Sequence, residues 1–173
     1  MPSPLQTAAL STFEALAMLC AEPLDPAAPD AGRPALAHAV RVRFAGPSRG
    51  ALVLAVSDDV ATALAANMLG LDESAVRADA RLRQDALGEA ANVVCGNVLP
   101  LVAGRAAVFH LDAPEAIALA DAFPVSPDAA HAGHAGHAEA LLVERGRAEL
   151  VLLFDPPTPA DGAAPLPAPV PLP

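Results

Sequence analysis

One stretch dictates more about this chain than any other: Asp85-Ala-Leu-Gly-Glu89-Ala-Ala-Asn92-Val-Val-Cys-Gly96-Asn97. At ~100° per residue, Leu87, Ala90, Val94 and Val98 line one face of a helix, spaced as a core-facing stripe is. Asp85, Glu89, Asn92 and Gly96 fall on a narrow stripe roughly opposite. A helix built this way must lie on a core and show its other side to water. That other side carries acids, an amide and a glycine. A carboxylate grips a cation, an amide both donates to and accepts from water, and Gly96 leaves bare backbone where a partner can approach closely. An ordinary solvated face is the competing reading for Glu89 alone. It accounts less well for Asn92, a middling helix former where Glu, Lys or Gln would serve better.

The rest of the composition limits what surrounds such a helix. The hydrophobic fraction is 54% but the aromatic fraction only 3%, with no Trp or Tyr, so the core must be Ala, Val and Leu packing. A chain of 173 residues buries enough surface to need no disulfide or metal. The net charge of −10 argues against nucleic acid or an anionic membrane as partner. All ten basic residues are arginine, which excludes lysine nucleophiles and Schiff bases. Cys20 and Cys95 have no metal-ligand spacing and are expected to be buried small hydrophobes. No basic residue precedes Arg33, so the charged start of a signal peptide is missing. No uninterrupted apolar run of membrane-spanning length appears. A soluble, cytoplasmic protein is expected.

Along the chain, Ser3-Pro4-Leu5-Gln6 reads as a capped helix start with Gln6 closing a capping box. Leu10, Phe13, Leu16 and Ala17 give that helix its stripe, and Pro23 is expected to end it. Residues 22–34 are a proline-rich connection. Alternation over 36–44 places Leu36, His38, Val40, Val42 and Phe44 on one face, and Arg41 and Arg43 on the other. His38 is read as a satisfied core histidine. Turn chemistry at 46–50 and a strand over 51–56 predict a hairpin. Ser57, Asp58 and Asp59 open a helix that Gly70 closes. A polar bridge, 71–79, contains about one helical turn. The long helix starts near Ala80, and Pro100 is expected to break or kink it. Residues 106–112 alternate like a strand, and 139–144 with 147–154 form a second hairpin around Arg145-Gly146. The domain thus spans 1–155. Residues 156–173 are a tail unable to bury a core, since eight of the nineteen prolines lie in the last nineteen residues.

The Asp-x-x-x-Glu-x-x-Asn pattern with Gly96-Asn97 resembles the CheC/CheX chemotaxis phosphatases, and residues 50–70 are similar to that family's strand-then-helix segment. The resemblance covers roughly residues 5–154, with Pro114 matching the family's proline one residue early. A single Glu89-x-x-Asn92 motif favours the CheX-like branch, because CheC-type members carry two. The resemblance implies an α+β fold, long helices packed on a mainly antiparallel sheet. The element order read above agrees with it. It also implies hydrolysis of the phosphoaspartate of a CheY-type response-regulator receiver. Asn92 would orient the attacking water and Glu89 would pair with the receiver's lysine. Asp85 and Gly96 would support the helix face or the interface. The protein would have no cofactor of its own, with Mg²⁺ supplied by the receiver, and it would be a homodimer. A non-catalytic CheX-like module that binds a receiver or motor component is the alternative.

One other segment carries chemistry. His131, His134 and His137 stand three residues apart and could close on Zn²⁺ or Ni²⁺, but Gly133 and Gly136 make the segment a flexible loop without an acid or cysteine at ligand spacing. Low-complexity Ala/Gly/His slippage explains it better than a metal site.

Overall fold

A computed structural model describes residues 1–25, 32–123, 136–144 and 146–156 of the chain. Its elements in chain order are α1 (Pro4–Ala17), β1 (Ala21–Pro23), β2 (Leu36–Ala45), β3 (Arg49–Ser57), α2 (Asp58–Leu69), α3 (Glu73–Ala78), α4 (Ala80–Ala103), β4 (His110–Leu111), β5 (Glu115–Ile117), α5 (Leu119–Ala122), β6 (Gly136–Val143) and β7 (Gly146–Phe154). The two hairpins read from alternation, β2–β3 and β6–β7, join through antiparallel pairing of β3 with β7. The sheet therefore runs β1-β6-β7-β3-β2-β4, with β5 also pairing β2. This is an α+β architecture of helices on an antiparallel sheet.

Helices α1, α2 and α4 cover one face, and the short α5 lies on the other. Leu5, Ala8, Ala9 and Phe13 of α1, Val60, Ala61 and Leu64 of α2, and Leu87, Ala90, Ala91, Val94 and Val98 of α4 form one core with Val40, Val42, Leu52, Leu54, Leu150 and Leu152 of the sheet. Each fully buried Val, Leu or Phe there contributes roughly 1.5–3 kcal/mol relative to exposure. The many alanines replace missing aromatic bulk by close approach of backbones. By length and composition α4 could cross a membrane, yet half of its most apolar window is buried inside the domain. Its apolar stripe is already used by the core.

Local chemistry accounts for the ends of these helices. Ser3 caps α1, its hydroxyl accepting from the Gln6 N–H at 3.0 Å. The capping box stays half-made, because the Gln6 side chain donates to Glu139 instead. The helix stops at Ala17, where Met18 turns left-handed with φ 52°. Pro23 does not end it and lies in β1. Asp58 and Asp59 occupy the first turn of α2, and Gly70 closes it in the left-handed conformation. Ser57 opens that helix without a side-chain cap, its hydroxyl accepting from the Arg147 N–H instead. Pro100 neither breaks nor ends α4, which continues to Ala103. The carbonyl deprived of its helical donor is that of Gly96, an exposed residue, where water can take its place.

Other expectations need correction. A register shift between Leu36 and His38 turns Leu36 to the opposite face, where it packs with Ala39, Val53 and Ala55 and with Ala122 of α5. An inserted residue has this effect because strand side chains alternate with a period of two. Of the alternating 106–112, only His110–Leu111 forms a strand. Phe109 is held by an edge-to-face contact with Phe44 at 5.7 Å rather than by a ladder. Cys95 is buried, but Cys20 is exposed. It lies beyond the end of α1, where its N–H donates to Glu144. Residues 157–173, the bulk of the proline-rich tail, lie outside the described residues, as do His131 and His134.

Candidate active site

Asp79 starts α4, its carboxylate accepting from the Arg81 N–H at 2.9 Å. From there the helix presents its two faces as the periodicity requires. Leu87, Ala90, Val94 and Val98 are all buried, while Asp85 and Glu89 are exposed and Asn92 is half-buried. Asp85, Glu89 and Asn92 come together in one open recess of about 240 Å³, which Gln84, Gly88, Pro114 and Ala116 complete. Gly96 lies outside it. Its backbone is exposed, and a methyl group there would meet nothing within 4 Å, so that surface is open to a partner.

The polar groups of the recess are not used up by the fold. Asp85 stands 3.7 Å from Arg81, but with side chains 70% and 88% exposed the pair contributes little. Glu89 has no ion pair or hydrogen bond among the described residues. The Asn92 Oδ1 is buried and has no protein hydrogen-bond partner among them. A buried acceptor left unpaired costs about 1–3 kcal/mol.

The far wall is the segment entering β5. Pro114 packs against Gly88: a methyl group at Gly88 would stand 3.1 Å from the proline Cβ and 3.4 Å from its Cγ. The next residue, Glu115, pairs across the ladder with Arg41, accepts from its Nε at 2.5 Å and lies 3.4 Å from Arg43. The wall is thereby tied to β2. Gln84, Gly88 and Ala116 were not singled out by the sequence. The first two share spacing of four residues with Asn92, a detectable signal. The packing of Pro114 on α4 is a long-range contact with no local signal.

Elsewhere, the His38 Nε2 donates to Asp58 Oδ1 at 2.8 Å, so it is satisfied as expected, but it is half-buried rather than part of the core. That hydrogen bond, with Arg83 and Arg77 nearby, holds the Asp58 carboxyl below its usual range despite partial desolvation. Among the described residues no group of three or more His, Cys, Asp and Glu is arranged to hold a metal ion. His137, the one described member of the histidine series, is exposed in β6.

The family model described as chemotaxis phosphatase CheX matches residues 38–132, more than half of the chain. The chain belongs to the CheX family. No curated protein sequence is similar enough to count as a match. Among solved structures, the chemotaxis protein CheX from Desulfovibrio desulfuricans is 17% identical with a TM-score of 0.60, over 88% of this chain and 97% of that one. CheX from Vibrio vulnificus is also 17% identical, with a TM-score of 0.62 over 88% and 94% of the two chains. A CheX–CheY–BeF₃–Mg²⁺ complex from Borrelia burgdorferi matches at 16% identity and a TM-score of 0.57, over 87% and 95%. At such identities the likeness establishes a shared CheX fold. The family match spans β2, β3, α2, α3, α4, β4, β5 and α5, and so includes both walls of the recess.

Proposed function

We propose that this CheX-family protein is a phosphatase that hydrolyses the phosphoaspartate of a CheY-type receiver domain. The observation that carries the reading is Asn92, whose Oδ1 has no protein hydrogen-bond partner among the described residues, set beside the Glu89 carboxylate in a recess open to solvent. A half-buried amide lining such a recess can donate to and accept from a water molecule and so fix its direction of attack. Water adds to the phosphorus, the bond from phosphorus to the aspartyl oxygen breaks, and inorganic phosphate and a free carboxylate result. Phosphoryl transfer of this kind needs placement and charge stabilisation more than a covalent group from the catalyst. Glu89, unpaired at the rim, takes the receiver's lysine and brings the two surfaces into register. Asp85 adds acidic surface one turn earlier. Mg²⁺ would be supplied by the receiver and would neutralise charge on the phosphoryl group. The Borrelia complex, in which a CheX is assembled with CheY, BeF₃ and Mg²⁺, supports a receiver as the partner.

The test is the decay of a phosphorylated receiver from the same genome with and without the protein, alongside Asn92→Ala. Acceleration by wild type but not by the variant is expected. Binding without acceleration would replace the phosphatase reading with a non-catalytic receiver-binding module. A homodimer is also proposed, because the sheet is open rather than closed into a barrel, and open sheets leave edges that are commonly covered by pairing. A light-scattering mass near 17.4 kDa at tens of micromolar would refute it.

A further inference from the structure

The floor of the recess is made by two groups that no polar chemistry explains, Gly88 and Pro114. Gly88 is buried in the middle of α4, where glycine is about 1 kcal/mol less favourable than alanine. Its backbone has no positive φ that would call for glycine. What does call for it is space. A side-chain carbon there would meet the Pro114 Cβ at 3.1 Å, closer than ordinary van der Waals contact, and its Cγ at 3.4 Å. The ring cannot retreat freely. Pro114 leads directly into β5, whose Glu115, Ala116 and Ile117 are paired with Arg41, Val40 and Ala39, and Glu115 is tied to Arg41 and Arg43. The other side of Gly88 is fixed as well, since neighbouring Leu87 and Ala90 are in the main core. The gap between the long helix and the β5 wall is therefore set by one absent methyl group. Asn92 lies on the same stripe as Gly88 one turn further on, and Glu89 is its immediate neighbour.

We infer that Gly88 and Pro114 are a spacer pair, positioning residues that set how closely the phosphoryl group of a docked receiver approaches Asn92. This rests on the phosphatase reading above. A methyl group at Gly88 must push the wall or the helix by a few tenths of an ångström. Misplacement of a reacting pair by about 1 Å costs ~10² in rate, so a shift of this size lowers kcat by roughly 3- to 10-fold. KM changes little, because Glu89 and the exposed rim remain as they are.

The experiment compares wild type, Asn92→Ala, Gly88→Ala, Pro114→Gly and the double variant Gly88→Ala/Pro114→Gly in steady-state dephosphorylation at varied concentrations of a phosphorylated receiver, with Tm measured for each. Gly88→Ala is expected to lose 3- to 10-fold in kcat with KM within twofold. The double variant carries the methyl group on the helix and removes the ring atoms it would strike, and is expected to recover to within about threefold of wild type. A general loss of packing cannot give that recovery, since the double variant would then be worse than either single one. If Gly88→Ala fails to fold, Pro114→Gly alone decides, with an expected fall in kcat at a Tm within a few degrees of wild type. With wild type active and Asn92→Ala inactive, unchanged kcat in Gly88→Ala, absence of rescue, or unchanged kcat in Pro114→Gly overturns the spacer role alone. An inactive wild type overturns the phosphatase reading and this inference with it.

Discussion

Replacing Asn92 with alanine is expected to move activity and stability in opposite directions. On the proposed mechanism, the activity term is the loss of one group that positions water, typically ~10²–10³ in rate. The stability term has two parts of the same sign. Alanine improves helix propensity by about 0.5 kcal/mol. Removing Oδ1 also relieves a buried acceptor that has no protein partner among the described residues, worth about 1 kcal/mol at the lower end of the usual range. Asn92 lines an open recess, so its truncation leaves no closed cavity to offset these gains. The sum, roughly 1–2 kcal/mol, corresponds to a rise in Tm of roughly 2–8 °C for a domain of this size. Calorimetry of both proteins, together with receiver dephosphorylation at matched concentrations, reads the two terms separately. Full activity in the variant would sink the role given to Asn92. A fall of several degrees in Tm would show that the amide braces α4, and the energetic reasoning would then be wrong as well.

Other outcomes follow from single features. Glu89→Ala removes an exposed rim charge, so KM for the receiver should rise and its salt dependence should flatten, with Tm within about 1–2 °C; an unchanged KM would remove Glu89 from the interface. Cys20 is exposed, whereas burial pushes the Cys95 thiol up to about 12, so iodoacetamide at mildly alkaline pH should modify one thiol in the native protein and both after unfolding. Two equally fast sites would contradict that burial. The hydrogen bond from His38 depresses the Asp58 carboxyl below 3.8 in the folded state, so its contribution is present above the unfolded value and is lost as pH falls through the folded one. Asp58→Asn should therefore melt lower than wild type near neutrality, with the gap closing on acidification below about pH 4. A gap that stays constant across that range would mean the carboxylate charge is not what stabilises the start of α2.

How far the sequence reached depended on the range of each interaction. Both faces of α4 were legible because helix periodicity is local, and the side that holds Leu87 and Val94 fixes the side that shows Glu89. The Ser3 cap, the Gly70 stop and the two hairpins are likewise written within a few residues. Leu36 was misplaced because one extra residue in the ladder reverses the facing of everything before it, and only the partner strand reveals the shift. Cys20 was misplaced because an apolar helical pattern was extended past Met18, where the backbone leaves the helix. The weak alternation over 106–112 carried too little information to distinguish a strand from a loop pinned by Phe109. At the site, the acids and the amide of α4 were visible at once. The opposite wall, Pro114 and Ala116, depends on a contact across more than twenty residues of chain, for which local periodicity has no signal.

That a single helix bears the core stripe on one side and the recess on the other has a consequence for timing. Leu87, Ala90, Val94 and Val98 are all essentially inaccessible to solvent, so the backbone that carries Glu89 and Asn92 cannot shift without disturbing the centre of the domain. The recess is ready before the partner arrives. Encounter then does not wait for a slow rearrangement on this side, and association should proceed in one kinetic phase at an ordinary docking rate of ~10⁵–10⁷ M⁻¹s⁻¹. Any slower phase seen in stopped-flow mixing would have to originate in the receiver.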